Sequence, residues 1–178
     1  MSLSAIVGID PGTQTLGLST IWFNPQTMVI DHIDVETVIG SHHHYKEWVG
    51  DYHGERFNKL MGHTDYLSGH FERCLPIAIA CESPFYSRLH PGAFEALLGT
   101  VQAIRQSVMN YSMWKPLDTV DPPTVKKAIG AAYNAKKDEV FKAFQISELY
   151  KLVTNPQDLS EHAVDATAVA YWRYKLFL

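Results

Sequence analysis

The segment AIVGIDPGTQTLG, residues 5–17, limits what this chain can fold into more than any other stretch. Ala5 to Ile9 is short, apolar and rich in β-branched residues, the pattern of a buried central strand. It ends on Asp10, and Pro11-Gly12-Thr13 follows at once. Proline cannot donate to a sheet ladder and glycine tolerates a turn, so the strand stops with a carboxylate held at its mouth. A lone Asp-Pro-Gly is more often an acid capping its own turn. A carboxylate kept from water nevertheless needs a cation beside it, either a lysine or a metal ion.

A second stretch repeats the arrangement. Leu75 to Glu82, LPIAIACE, is another apolar run that ends on an acid, with Pro84 just beyond. If the two strands lie side by side, Asp10 and Glu82 converge at one sheet edge, where like charges repel unless a cation sits between them. A third acid points the same way. The segment SEHAVDATAVAYWRY reads as a helix of small residues that packs closely, capped by Asp158 or Ser160, with Glu161 in its first turn. Asp165 stands in its middle, three residues after His162, and residues at that spacing share a helix face.

The rest of the chain supplies a frame. Leu16–Phe23 and Met28–Val38 read as two more strands joined by a hairpin turn at Asn24-Pro25-Gln26-Thr27, which makes an antiparallel meander with the first. Gly40–Gly54 reads as a loop, and His42-His43-His44 within it as a solvated insertion, since consecutive histidines point apart. Helices are expected over Glu55–Arg73, Pro91–Tyr111, Val125–Gly130 and about Ala135–Lys151, and a strand over Trp114–Val120. Phe94, Leu97, Val101, Ile104 and Val108 form the apolar stripe of the 91–111 helix, with small residues beside it that suit a partner helix.

Composition narrows the function classes. The chain has 178 residues, 46% apolar and 19% charged, which predicts one globular domain spanning 1–178. No apolar run is long enough to cross a bilayer, the N-terminus lacks the basic region of a signal peptide, and two cysteines make no disulfide framework. A reducing, cytoplasmic setting is expected. The net charge of −4 does not suggest a nucleic-acid binder, but its distribution does. Residues 1–100 carry 5 basic and 11 acidic side chains, whereas 101–151 carry 8 and 5. A local basic face can bind phosphates under a negative total. Lys126, Lys127, Lys136 and Lys137 lie there, and Phe85, Tyr86 and Arg88 follow the Glu82 strand as a candidate base-stacking loop.

Taken together, GIDPGTQTLGLS, AIACESPFYS, VKKAIG, AKKDEV and EHAVDATAVA resemble, in order and spacing, the RuvC-type Holliday junction resolvases of the RNase H-like nuclease superfamily. The resemblance implies an α/β fold, a mixed five-stranded sheet with the antiparallel meander first and parallel strands after, flanked by helices. It implies a homodimer, through the 91–111 helix, that cuts two opposing strands of four-way DNA junctions. It implies Mg2+, two ions per active site with Mn2+ as a substitute. It assigns Asp10, Glu82 and Asp165 to the metal, with His162, or Glu161 beside it, completing the set. Lys137 joins these as a catalytic residue, and Phe85 is the aromatic inserted at the junction centre, with Tyr86 as its neighbour. Lys126 and Lys137 match basic residues in contact with DNA. The setting would be the cytoplasm of a bacterial cell, or of a host cell for a viral source. The Gly40–Gly54 stretch is longer than in the bacterial pattern. Three other readings are a broader debranching nuclease of this fold, a non-catalytic branched-DNA-binding module, and an actin-like ATPase. The last shares the G-I-D-P-G-T turn but needs two such domains.

Overall fold

The computed structural model describes residues 2–40, 47–85 and 91–178. A meander opens the chain: β1 (Ser4–Asp10), β2 (Thr15–Asn24) and β3 (Val29–Ile39), all antiparallel neighbours. The hairpin between β2 and β3 is built on Asn24, whose side-chain oxygen accepts from the amides of Gln26 and Thr27 while its carbonyl accepts from Met28. Two helices follow, α1 (Glu47–His53) and α2 (Glu55–Cys74), and then β4 (Ala78–Glu82), which pairs with β1 in parallel. α3 (Pro91–Tyr111) leads to β5 (Leu117–Val120), parallel to β4, and α4 (Pro122–Ala128), α5 (Lys137–Ile146) and α6 (Glu161–Lys175) complete the chain. The sheet order is β3-β2-β1-β4-β5, the expected mixed five-stranded sheet.

Side-chain alternation divides the core. Ala5, Val7 and Ile9 of β1 and Ile79 and Cys81 of β4 face α2 and α3, where Leu67, Phe71, Val101, Ile104 and Val108 meet them. The opposite face carries Ala80, Val120, Ile21 and Ile33 against Ala163, Val164, Ala168 and Val169 of α6, with Val125, Val140 and Phe144 of α4 and α5. By the same alternation, Asp10 and Glu82 belong to the α6 face.

α6 lies unusually close to the sheet. A Cβ on Gly8 would run into the Ala166 carbonyl and the Ala170 amide, and one on Gly17 into the His162 carbonyl. The helix answers with alanines at 163, 166, 168 and 170, all buried. Ser160 caps it, its hydroxyl accepting from the Ala163 amide, and Asp158 does not. Thr167, fully buried, directs its hydroxyl to Ser19 of β2 and back to the Ala163 carbonyl.

Several boundaries differ from the expected ones, each for a local reason. Residues 47–53 of the expected loop are helical, and among the described side chains of α1 only Val49 is buried, too little for an apolar period to be read. Gly54, at φ 87°, separates α1 from α2. Residues 41–46, including the three consecutive histidines, lie outside the described residues. β4 starts at Ala78 rather than Leu75 because Leu75 takes a left-handed conformation (φ 47°) that ends α2. β5 starts at Leu117 because 112–115 form a turn, with Lys115 N donating to Ser112 O. The expected 135–151 helix is shorter. Glu139 accepts from the Lys136 amide at 2.7 Å and fixes the start at Lys137, and the Ser147 hydroxyl takes the Phe144 carbonyl and ends the helix. A short 3-10 turn, Glu148–Leu152, follows.

The close seating of α6 predicts that Gly8→Ala is destabilising although it adds one methyl group. The obstruction is helix backbone, which cannot rotate away, and overpacking of this kind costs about 1–3 kcal/mol. Urea unfolding should show a lowered midpoint with an unchanged slope. Gly92→Ala, whose new Cβ meets nothing within 4 Å, should not lower it.

Candidate active site

β1 and β4 run parallel with Ile9 level with Cys81, so Asp10 and Glu82 stand level at adjacent strand ends. Both face the side on which α6 lies. Gly17 brings the first turn of α6 against β2, and His162 Nδ1 donates to Asp10 Oδ2 at 2.6 Å. One turn on, Asp165 approaches the same acids. A pocket of about 190 Å³ opens beside them, lined by Glu82, Pro122, Val125, Lys126, Lys137, Val140, Asp165 and Ala168.

The electrostatics show what this arrangement lacks. Burial, then the charges of Asp10 and Asp165, push the Glu82 carboxyl up to about 8. Burial and Asp10 push Asp165 up to about 6, against the pull of Lys137, His162 and Lys126. The hydrogen bond to Asp10 raises His162 despite the opposing effect of burial. Three acids thus repel one another in a site where protein cations only partly compensate. Hard divalent cations take oxygen ligands, and a set of mutually repelling, half-buried carboxylates fits one. Among the described residues no three such groups are already gathered as ligands around one point, so ions would draw Asp10, Glu82 and Asp165 together. His162, an imidazole held on Asp10, is the softest member of the set.

The turn after Asp10 is anchored from the other face of the sheet. His63 of α2, fully buried, donates from Nε2 to the Thr13 carbonyl at 3.1 Å. Lys59 Nζ donates to Gln14 Oε1 at 2.9 Å, Gly40 N to the Gln14 carbonyl at 2.8 Å, and the Thr13 and Thr100 hydroxyls lie 3.1 Å apart. None of these holding groups is singled out by the sequence. A histidine inside an amphipathic helix carries no signal that it will reach the turn after Asp10.

The expected basic residues divide. Lys126 donates to the Ala135 carbonyl at 2.8 Å while lining the acid pocket. Lys137 reaches the pocket too, and its ammonium pairs with Glu161 at 2.9 Å. That bond raises the lysine and lowers the acid. Glu161 therefore faces Lys137 rather than completing the carboxylate set. Lys127 and Lys136 are exposed on the same segment. Phe85 is exposed three residues beyond Glu82, on a segment tied to β5 by Ser83 N donating to the Val120 carbonyl. Tyr86 and Arg88 lie outside the described residues.

A pH dependence follows from the raised acids. Their folded-state pKa values lie above the ordinary carboxylate range, so protonated Glu82 and Asp165 are tolerated at low pH. Stability is then lost as pH rises through about 6 and about 8. In EDTA, Tm should fall between pH 5 and pH 8.5, and the fall should be shallower in Glu82→Gln. Saturating magnesium should raise the wild-type Tm at pH 8 and leave that of Glu82→Gln nearly unmoved. A pH-independent wild-type Tm would contradict the repulsion.

No family model matches the chain. Among curated proteins, the crossover junction endodeoxyribonuclease RuvC of Prochlorococcus marinus is 28% identical over 166 residues, 93% of this chain and 94% of that protein. Among solved structures, Thermus thermophilus RuvC superimposes with a TM-score of 0.68 at 20% identity, covering 97% of this chain and 95% of that one. The same protein in complex with a Holliday junction substrate gives 0.67 at 19%, over 97% and 94%. The yeast mitochondrial Holliday junction resolvase gives 0.60 at 12%, over 99% and 80%. Along nearly its whole length the chain is thus similar in sequence to a RuvC endodeoxyribonuclease, and it shares the fold of the solved Holliday junction resolvases.

Proposed function

We propose that this protein is a metal-dependent endodeoxyribonuclease that resolves four-way DNA junctions by hydrolysing two opposing strands, with residues 1–178 acting as one nuclease domain. The observation that carries this reading is the level placement of Asp10 and Glu82 at adjacent parallel strand ends, with Asp165 approaching from α6. Asp10 would contribute to both of two magnesium ions, Glu82 to one, and Asp165 with His162 to the other; manganese would serve as a substitute. Bound there, the ions would supply an acidified water and stabilisation for the leaving oxygen.

The chain's own residues do the rest. His162 holds a proton on Nδ1 toward Asp10 and keeps that carboxylate oriented. Lys137, at the rim, meets the charge that grows on the phosphate once it leaves Glu161. Lys126, Lys127 and Lys136 would attract the backbone, and Phe85, followed in the sequence by Tyr86 and Arg88, would enter the junction. No helix among the described residues is long and apolar enough to cross a membrane, in keeping with a nuclease of the cytoplasm, bacterial or host. Dimerisation would use the outer face of α3. Val101, Ile104 and Val108 are occupied by the sheet, so Leu98 and Met109, both exposed, would meet the second copy.

The test incubates the protein with a labelled four-way junction, a three-way branch and a linear duplex in magnesium. Paired symmetric nicks on the four-way junction alone are expected. Asp10→Asn or Glu82→Gln should slow them roughly a hundredfold or more while binding persists. Cuts on every branched form would indicate a debranching nuclease, and tight binding without cleavage a non-catalytic module. Light scattering should give twice the chain mass of 20.1 kDa.

A further inference from the structure

From Pro122 to Lys137 the chain holds four lysines and no acid. In the middle of this run stands Tyr133, 75% exposed. The connection that carries it, between α4 and α5, is tied down. Ile129 and Ala135 are buried on either side. Gly130 N donates to the Lys127 carbonyl, Ala131 N to Lys126 and Ala135 N to Ala132, all at 2.9–3.1 Å. What projects is the exposed trio Ala132, Tyr133 and Asn134. One anchor is shared with the acid pocket, because Lys126 both bonds the Ala135 carbonyl and lines the wall beside Glu82 and Asp165. Tyr133 is thus carried on a fixed turn next to the pocket, between exposed Lys127 and Lys136.

An aromatic ring serving the core would be buried, and a partner protein's apolar patch would meet a single ring on a segment with exposed Lys127 and Lys136. A planar ring flanked by cations suits a nucleic-acid strand, with phosphates on the lysines and a base on the ring. We propose that Tyr133 is a stacking platform for an unstacked base of the DNA strand that enters the acid pocket, with Lys127 and Lys136 holding the neighbouring phosphates. This rests on the reading of the chain as a branched-DNA nuclease. It adds a DNA contact that none of the acids, Phe85 or the lysines provides.

The test uses the full chain and a four-way junction carrying 2-aminopurine near the exchange point, first in EDTA for binding and then in magnesium for cleavage. Wild type should quench the fluorescence. Tyr133→Ala should bind about tenfold more weakly and lose the quench, with an unchanged Tm. Tyr133→Phe should restore both, since stacking needs the ring and not the hydroxyl. The salt dependence of binding should be unchanged in Tyr133→Ala and shallower by about one unit of slope in Lys127→Ala. Tyr133→Ala with wild-type affinity and quench would overturn the proposal. So would a Phe variant as weak as the Ala variant, or an equal loss on a blunt linear duplex. Wild type nicking the junction beside an unaffected Tyr133→Ala defeats this proposal alone. Wild type that neither binds nor cuts branched DNA defeats the functional reading and this with it.

Discussion

The site depends on how closely one helix can approach one sheet. Gly8 and Gly17 leave no side chain between β1, β2 and the backbone of α6, and the alanines of α6 leave little on the other side. Helix and sheet meet almost backbone to backbone, and only at that separation does a side chain as short as Asp165 come within electrostatic range of Asp10 and Glu82. A larger residue at either glycine would lift the helix and move two members of the site, His162 and Asp165, away from the other two. The seating is therefore both a packing feature and the device that assembles the acids.

Assembling acids this way creates a repulsion that the protein relieves only in part. His162 answers Asp10 directly, and Lys126 and Lys137 act on Asp165 and Glu82 from the pocket wall, yet Glu82 is still pushed to about 8. Each of these cations has a second attachment or duty: Lys126 to the Ala135 carbonyl, Lys137 to Glu161. They are held at the edge of the acids rather than among them, which leaves the centre for ions of higher charge density. The same anchoring explains why the turn after Asp10 is gripped so firmly by His63, Lys59 and Thr100. A carboxylate that several cations compete for stays in place only if its backbone cannot move.

Much of this is readable from the residues and some is not. The meander, the parallel pair and the three acids each carry a local signature: an apolar run closed by an acid and a breaker, or an acid amid alanines. The register that levels Asp10 with Glu82 carries none, because it comes from strand pairing across the sheet. α1 escapes notice because one buried valine makes no period, and the end of α5 because Ser147 turns its hydroxyl onto the chain behind it. The contacts of His63 with Thr13 and of Glu161 with Lys137 go unread for a further reason. The partner is 50 residues away in one and 24 in the other, and nothing in the flanking sequence marks the distance.

A net charge of −4 and a cluster of half-buried acids both work against binding a polyanion. The layout resolves the conflict by separating the two charges over a short distance. The acids lie at the strand ends beneath α6, and the 122–137 run, with four lysines and no acid, forms the wall next to them. Within a Debye length of about 8 Å at physiological salt, an approaching strand would feel the charge of that wall rather than the net charge of the whole chain. Divalent ions at the acids would change the sign of the remaining local field, so that metal and DNA favour each other's binding. On the proposed function, the acid cluster by itself would repel the DNA backbone, and the same cluster filled with cations would attract it. Selectivity for the metal-loaded protein then needs no moving part, since it follows from the charge balance of the pocket and its wall.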